Sequence, residues 1–130
     1  MFSFDLNILD LANLATPNIY DLMTNTVELL DPSVFQAKAE LAASLLKAMS
    51  NPHRLMILCR LGASEASVGD LQTDSGLSQS ALSQHLSVLR ARELVDTRRE
   101  AQTIYYRLAD PAVRQVIETL MKIYCPEMLK

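Results

Sequence analysis

The stretch Ser67 to Leu94, SVGDLQTDSGLSQSALSQHLSVLRAREL, decides the fold. Ser67 with Asp70 three residues on has the spacing of a capping box, and the short helix it opens runs through Leu71 to a stop at Ser75-Gly76. Leu77 then docks the turn, and Ser78 caps a second helix in which Leu82, Leu86 and Leu89 fall at i, i+4 and i+7. Two short helices joined through a glycine read as a helix-turn-helix. The opposite face of the second helix carries Gln79, Ser80, Ser83, Gln84 and Ser87. A solvated helix face ordinarily carries Glu/Lys pairs; uncharged amides and hydroxyls are what a helix needs to read base edges in a major groove.

Working outward, the period changes after this unit. Leu94–Arg99 and Thr103–Leu108 are rich in Val, Thr, Ile and Tyr, and Thr103 to Leu108 alternate in polarity, so they predict a β-hairpin with Arg99–Gln102 at its tip. Asp110-Pro111 caps a closing helix lined by Val113, Val116, Ile117, Leu120 and Tyr124, which Pro126 ends. Upstream, Asn51-Pro52 opens a helix through Leu55, Leu58, Cys59 and Leu61 that stops at Gly62. Asp31-Pro32 opens another, with an apolar stripe of Phe35, Ala39, Ala42, Leu46 and Met49 ending at Ser50. A helix is also expected over Asn18–Leu30, and Met1–Thr16 reads as a loose arm or a helix that folds on a partner. The expected fold is mainly α with a β-hairpin wing. The expected domains are an acidic, partly helical extension over residues 1–32 and a winged helix-turn-helix over 33–130.

The chain has 130 residues, 49% of them apolar, with 3 Gly and 5 Pro, so one helix-rich domain that a partner copy completes is expected. Its net charge of −3 would argue against a nucleic-acid partner, but residues 1–32 hold five carboxylates and no Lys or Arg, which leaves the remainder at +2. Arg90, Arg92, Arg98, Arg99 and Arg107 all follow the reading helix closely. Phe2 to Leu14 are broken by Asp5 and Asp10 without a basic leader, so neither a signal peptide nor a membrane span is expected, and the cytoplasm is the expected compartment. There, Cys59 and Cys125 are expected to rest as thiols. Taken alone, Cys59 between apolar neighbours reads as a small buried hydrophobe and Cys125 as an incidental thiol near a chain end. No nucleophile–base pair or glycine-rich phosphate loop points to an enzyme.

The runs NPHRLMILCRL, SVGDL, LSQSALSQHLSVLRARELV and TRREAQTIYYRL resemble the arsenic-repressor (ArsR/SmtB) family of dimeric winged-helix transcription regulators, over about residues 33–125. Within it the chain is most similar to the sulfur-responsive dithiol repressors, of the biofilm-growth and sulfide:quinone reductase regulator types, and to the haemolysin-activator type. Those carry one cysteine in the NPxR helix and another near the end of the last helix, where this chain has Cys59 and Cys125. The nodulation-repressor type shares much of the DNA-reading wording. The family's metal sensors place Cys-x-Cys-Asp where this chain reads Ser67-Val68-Gly69-Asp70, and their last-helix site needs a histidine that the helix after Asp110 lacks. No metal site and no cofactor are therefore expected. His53 and His85 read as hydrogen-bonding structural residues.

The resemblance implies a homodimer that reads an imperfect palindrome in double-stranded DNA, with half-sites about one helical turn apart. Gln79, Ser80, Ser83, Gln84 and Ser87 are the expected base readers; Arg90, Arg98 and Arg99 are expected on phosphates, and Gln102 at the wing tip on a minor groove or sugar. It also implies that Cys59 and Cys125 form a persulfide or polysulfide sensor whose reaction lowers operator affinity, making the protein a repressor responsive to reactive sulfur. The same fold admits a regulator with no thiol switch, constitutive or anti-silencing, and a metal- or arsenite-responsive repressor. A purely structural helical protein would have no use for arginines beside an uncharged Ser/Gln face.

Overall fold

A computed structural model describes residues 31–129; the helix expected over Asn18–Leu30 and the arm or helix expected over Met1–Thr16 lie outside them. The described residues divide between Ala42 and Ala43 into two units. Helix α1 (Pro32–Met49) runs across that boundary, and α2 (Pro52–Ala63), α3 (Val68–Ser75), α4 (Gln79–Ala91) and α5 (Pro111–Tyr124) belong to the second unit. Three strands, β1 (Ala66–Ser67), β2 (Val95–Glu100) and β3 (Thr103–Leu108), form an antiparallel sheet in the order β1-β3-β2, and a 3-10 turn (Pro126–Leu129) follows α5. This is a winged helix-turn-helix, mostly helical with a small sheet.

Each helix of the second unit starts where a side chain can satisfy amides that have no partner within the helix. Asn51 Oδ1 accepts from the His53 and Arg54 amides at 2.9 and 3.2 Å, and Asp110 Oδ1 accepts from the Ala112 amide at 2.8 Å. Pro52 and Pro111 occupy first-turn positions where no N–H is missed. At α3 the capping box is complete: the Asp70 amide donates to Ser67 Oγ at 3.0 Å, and the Ser67 amide donates to Asp70 Oδ2 at 3.4 Å. Gly76, at φ 67°, closes α3 in the left-handed conformation that a side chain would strain, and two residues later Ser78 caps α4.

The core of the second unit forms between these elements. Leu82, Leu86 and Leu89 of α4 lie in one buried cluster with Ile57, Leu58 and Leu61 of α2, Leu71 of α3, and Val113 and Ile117 of α5. Val95 and Tyr106 close it from the sheet. No polar side chain is buried among the described residues. Arg60 Nε reaches Asp74 Oδ2 at 2.9 Å, tying α2 to α3, and Arg114 donates to the Gly62 carbonyl at 2.8 Å, tying α5 to α2.

Four local expectations change. The α2 helix passes through Gly62 to Ala63, because its end is set by Ser64, whose amide still bonds Arg60. The hairpin pairs as far as Glu100↔Thr103, so its tip is the two residues Ala101-Gln102, with Ala101 at φ 55°, rather than Arg99–Gln102. Strand β1, unforeseen, pairs Ala66↔Tyr106 and Ser67↔Tyr105 and fastens the start of α3 to the wing. Of the α1 stripe only Met49 is buried; Phe35 and Leu46 are 41% and 56% exposed, so this face is not core of the single chain.

The opposed faces of α4 give a direct check. Leu82→Ala should cost about 2–5 kcal/mol in chemical denaturation, whereas Ser83→Ala, one residue on but exposed, should stay within about 0.5 kcal/mol.

Candidate nucleic-acid interface and thiol pair

With its leucines buried, α4 turns Gln79, Ser80, Ser83, Gln84 and Ser87 to solvent, all five exposed on the face opposite the core. Among the described residues the side chains of Gln79, Ser83, Gln84 and Ser87 make no hydrogen bond, so their donors and acceptors are available to a ligand; Ser80 Oγ lies 3.5 Å from Ser78 Oγ. Arg90 stands exposed in the last turn of α4, and Gln102 sits at the wing tip.

The arginines divide. Arg98 Nε donates to both carboxylate oxygens of Glu65 at 2.9 Å and its Nη2 to Oε1 at 2.7 Å, while Nη1 reaches Glu100 at 3.0 Å. Its guanidinium also lies 4.4 Å from the ring centroid of Tyr105, its cross-strand partner. Arg98 is thus committed to bracing the wing against the segment between α2 and β1. Arg107 pairs loosely with Asp96 at 3.8 Å, and Arg92 donates to Ser44 Oγ. Among the described residues no carboxylate lies within ion-pair reach of Arg90 or Arg99. Glu65 was invisible to sequence reading because it lies 33 residues from Arg98.

His53 at the start of α2 and His85 in α4 bring their rings to 5.5 Å between centroids, tilted by 34°. Burial, then Arg54, then His53 hold His85 below its ordinary value, so the neutral ring is favoured at this contact between α2 and the reading helix.

Cys59 and Cys125 are both free thiols of intermediate exposure. Cys59, on α2, lines a cavity of about 340 Å³ whose wall includes Gly62, Leu108, Ile117 and Met121, with Arg114, Glu118 and Lys122 at charged positions. Cys125 caps the end of α5, donating its amide to the Met121 carbonyl at 2.8 Å. Burial raises the Cys59 thiol above its ordinary value, with a smaller contribution from the Cys125 thiol. Met121 is a member of this site that the sequence reading did not single out. Among the described residues no cluster of three His, Cys, Asp or Glu side chains is arranged to hold a metal ion, and no helix is long and apolar enough to cross a membrane.

A helix-turn-helix with an exposed amide and hydroxyl face, flanked by a braced wing, defines a DNA-binding transcription regulator of the winged-helix class, not an enzyme. The model of the "Bacterial regulatory protein, arsR family" matches residues 51–97, and the chain belongs to that family. It is 52% identical over 92 residues to the HTH-type transcriptional regulator YgaV of Escherichia coli K12, covering 70% of this chain and 93% of that one. It is 38% identical over 109 residues to the biofilm growth-associated repressor of Xylella fastidiosa Temecula1, covering 84% and 96%. The transcriptional activator HlyU of Vibrio cholerae is 55% identical over 84 residues, 65% of this chain and 78% of that one. A solved structure of reduced HlyU superposes with TM-score 0.68 at 50% identity, covering 70% and 96% of the two chains.

The brace on the wing has a pH signature. Hydrogen bonding from Arg98 holds the Glu65 carboxyl below its ordinary 4.5, so its contribution is present above that value and is lost as pH falls through the lower folded value. The protection of the Thr103–Leu108 amides, taken relative to their intrinsic exchange rates at each pH, should therefore fall on acidification below about pH 4.5 in the native protein. In Glu65→Gln that protection should already be lower at pH 7 and change little across that window.

Proposed function

We propose that this chain is a homodimeric repressor that binds an imperfect palindromic operator and releases it when Cys59 and Cys125 react with persulfides. Regulators of this family bind DNA operators and are typically dimeric. In this reading Gln79, Ser80, Ser83, Gln84 and Ser87 meet base edges, Arg90 and Arg99 neutralise phosphates, and Gln102 reaches the adjacent groove or sugar. Arg98 acts through the wing it holds, being engaged by Glu65 and Glu100. A second copy gives the exposed apolar side chains Leu46, Ile123 and Tyr124 a partner, which a monomer in water does not.

The observation that carries the sulfur reading is the placement of two free thiols on elements packed against each other, Cys59 on α2 in the wall of a cavity and Cys125 at the end of α5. A thiolate attacks the outer sulfur of a persulfide RSSH, forming Cys–S–SH and releasing the thiol RSH. Once both cysteines carry a sulfane sulfur, the terminal sulfur of one attacks the cysteine sulfur of the other and expels hydrosulfide. The product is a bridge of three sulfurs, and sulfane sulfur is itself the oxidant. Such a bridge spans farther than a disulfide, which demands Cα atoms within roughly 7 Å.

The bridge would tie α2 to α5 and so bias the packing of α2 on the reading helix. A coupling of about 1–3 kcal/mol, lowering affinity roughly 5- to 150-fold, is enough for release. The nearest competing reading, favoured by the name of the HlyU relative, is an activator on the same operator; the effector chemistry is unchanged by that choice.

Treating the reduced protein with glutathione persulfide should weaken binding to the promoter upstream of its own coding region and add the mass of one inter-cysteine sulfur, while peroxide should do neither. A Cys125→Ser variant that still released DNA on persulfide treatment would sink the paired-thiol mechanism. Arg99→Ala should lower the slope of log affinity against log salt by about one for each phosphate contact removed, without altering the persulfide response. Ile123→Glu should shift the protein toward monomer in sedimentation and reduce operator affinity with it.

A further inference from the structure

Gly62 has no backbone reason to be a glycine. It lies in the last turn of α2, which continues through it to Ala63, and among the described glycines only Gly76 has a left-handed φ. A Cβ at Gly62 would meet nothing nearer than Leu108 Cδ1 at 3.9 Å, an ordinary van der Waals contact, so close packing does not require it either. Alanine would hold the helix better. What the missing side chain does is leave room: Gly62 and Leu108 are both walls of the cavity of about 340 Å³ beside Cys59.

That cavity has an apolar body and a charged edge. Cys59, Leu108, Ile117, Met121 and Leu129 supply the body, while Arg114, Glu118 and Lys122, spaced four apart on one face of α5, supply the edge. Arg114 Nη1 donates to the Gly62 carbonyl at 2.8 Å, which fixes the guanidinium at the wall. Among the described residues that guanidinium makes no other hydrogen bond, and neither Arg114 nor Lys122 has a carboxylate within ion-pair reach, Glu118 included. The edge therefore carries one net positive charge, with guanidinium donors left over beside an apolar space. Small-molecule sites are built in this way, as largely apolar concavities of roughly 300–1,000 Å³ with a few placed polar groups. We propose that this cavity binds one small apolar carboxylate, its hydrocarbon body against Cys59, Leu108, Ile117 and Met121 and its carboxylate received by Arg114. A guanidinium fork matches a carboxylate in shape as well as charge, whereas an amine would meet two like charges. The site does not rest on the sulfur reading: Cys59 serves it only as wall, and Cys125 takes no part.

Calorimetric titration of the reduced full chain with octanoate should saturate at one per chain. Octylamine should give no binding, and octanol should bind about tenfold more weakly for want of the charged hydrogen bond. Arg114→Met keeps an apolar stem at an exposed position and should weaken octanoate about tenfold without changing octanol. Gly62→Ala should raise the melting midpoint yet weaken octanoate, two shifts of opposite sign that a purely structural glycine would not give. Gly62→Leu, where its melting curve shows that it folds, should abolish binding. In Cys125→Ser, where Cys59 is the one remaining thiol, octanoate should slow alkylation by iodoacetamide and octylamine should not. The absence of saturable octanoate uptake, equal affinity for octylamine, or native affinity in Gly62→Ala would each overturn the site. Persulfide-dependent release of the operator is read separately, so its presence without octanoate uptake, or its absence with it, tells failure of this site from failure of the function proposed above.

Discussion

The burial of Leu82, Leu86 and Leu89 fixes the rotation of α4 about its own axis, and every functional statement about this protein depends on that rotation. A helix presents a new side chain every 100°, so a slip of one residue would carry Gln79, Ser83 and Gln84 out of their common exposed face and bring polar groups into an apolar cluster. Leu82 and Leu89 are fully buried, in a cluster to which α2 before them and the sheet after them both contribute. This exposed face is therefore held by hydrophobic packing on its reverse side, and among the described residues the side chains of Gln79, Ser83, Gln84 and Ser87 are left without intramolecular hydrogen bonds.

The wing is held by different physics. Its strands bury Val95 and Tyr106, but its far half, Arg98 to Thr103, is exposed. There a forked guanidinium to Glu65, stacked over Tyr105, supplies orientation that burial cannot. Strand β1 adds a short length of backbone pairing from the same side, so the wing and the start of the helix-turn-helix move as one piece. Cationic charge beside a reading helix is therefore of two kinds here. Arg90 and Arg99 have no carboxylate within ion-pair reach among the described residues, whereas Arg98 is spent internally to hold the wing.

The thiol pair sits on the other side of the same core. Cys59 lies one residue beyond Leu58, which is fully buried and in the cluster that contains the leucines of α4. Any bond that draws Cys59 toward the end of α5 acts on α2, and α2 cannot shift without repacking against the reading helix. The His53–His85 contact is a second link between the same two helices, and burial and neighbouring positive charge favour the neutral form of His85. The cavity beside Cys59 and the helix α4 thus adjoin one set of packed side chains.

What the sequence determined by itself is local. The caps Asn51, Ser67, Ser78 and Asp110 are legible because each acts within three residues of itself, and the leucine spacing of α4 and the alternation of the wing strands are legible because they follow from helical and strand periods. Tertiary structure alone decided which charges are free, which apolar stripe is core, and which side chains line the cavity. Arg98 and Glu65 are 33 residues apart, β1 is two residues long, and the α1 stripe has core-like spacing yet Phe35 and Leu46 stand exposed. Cys59 and Met121 share a cavity because α2 packs on α5. Periodicity reports which side chains share a face; only the packing of elements distant in the chain sets what that face is pressed against.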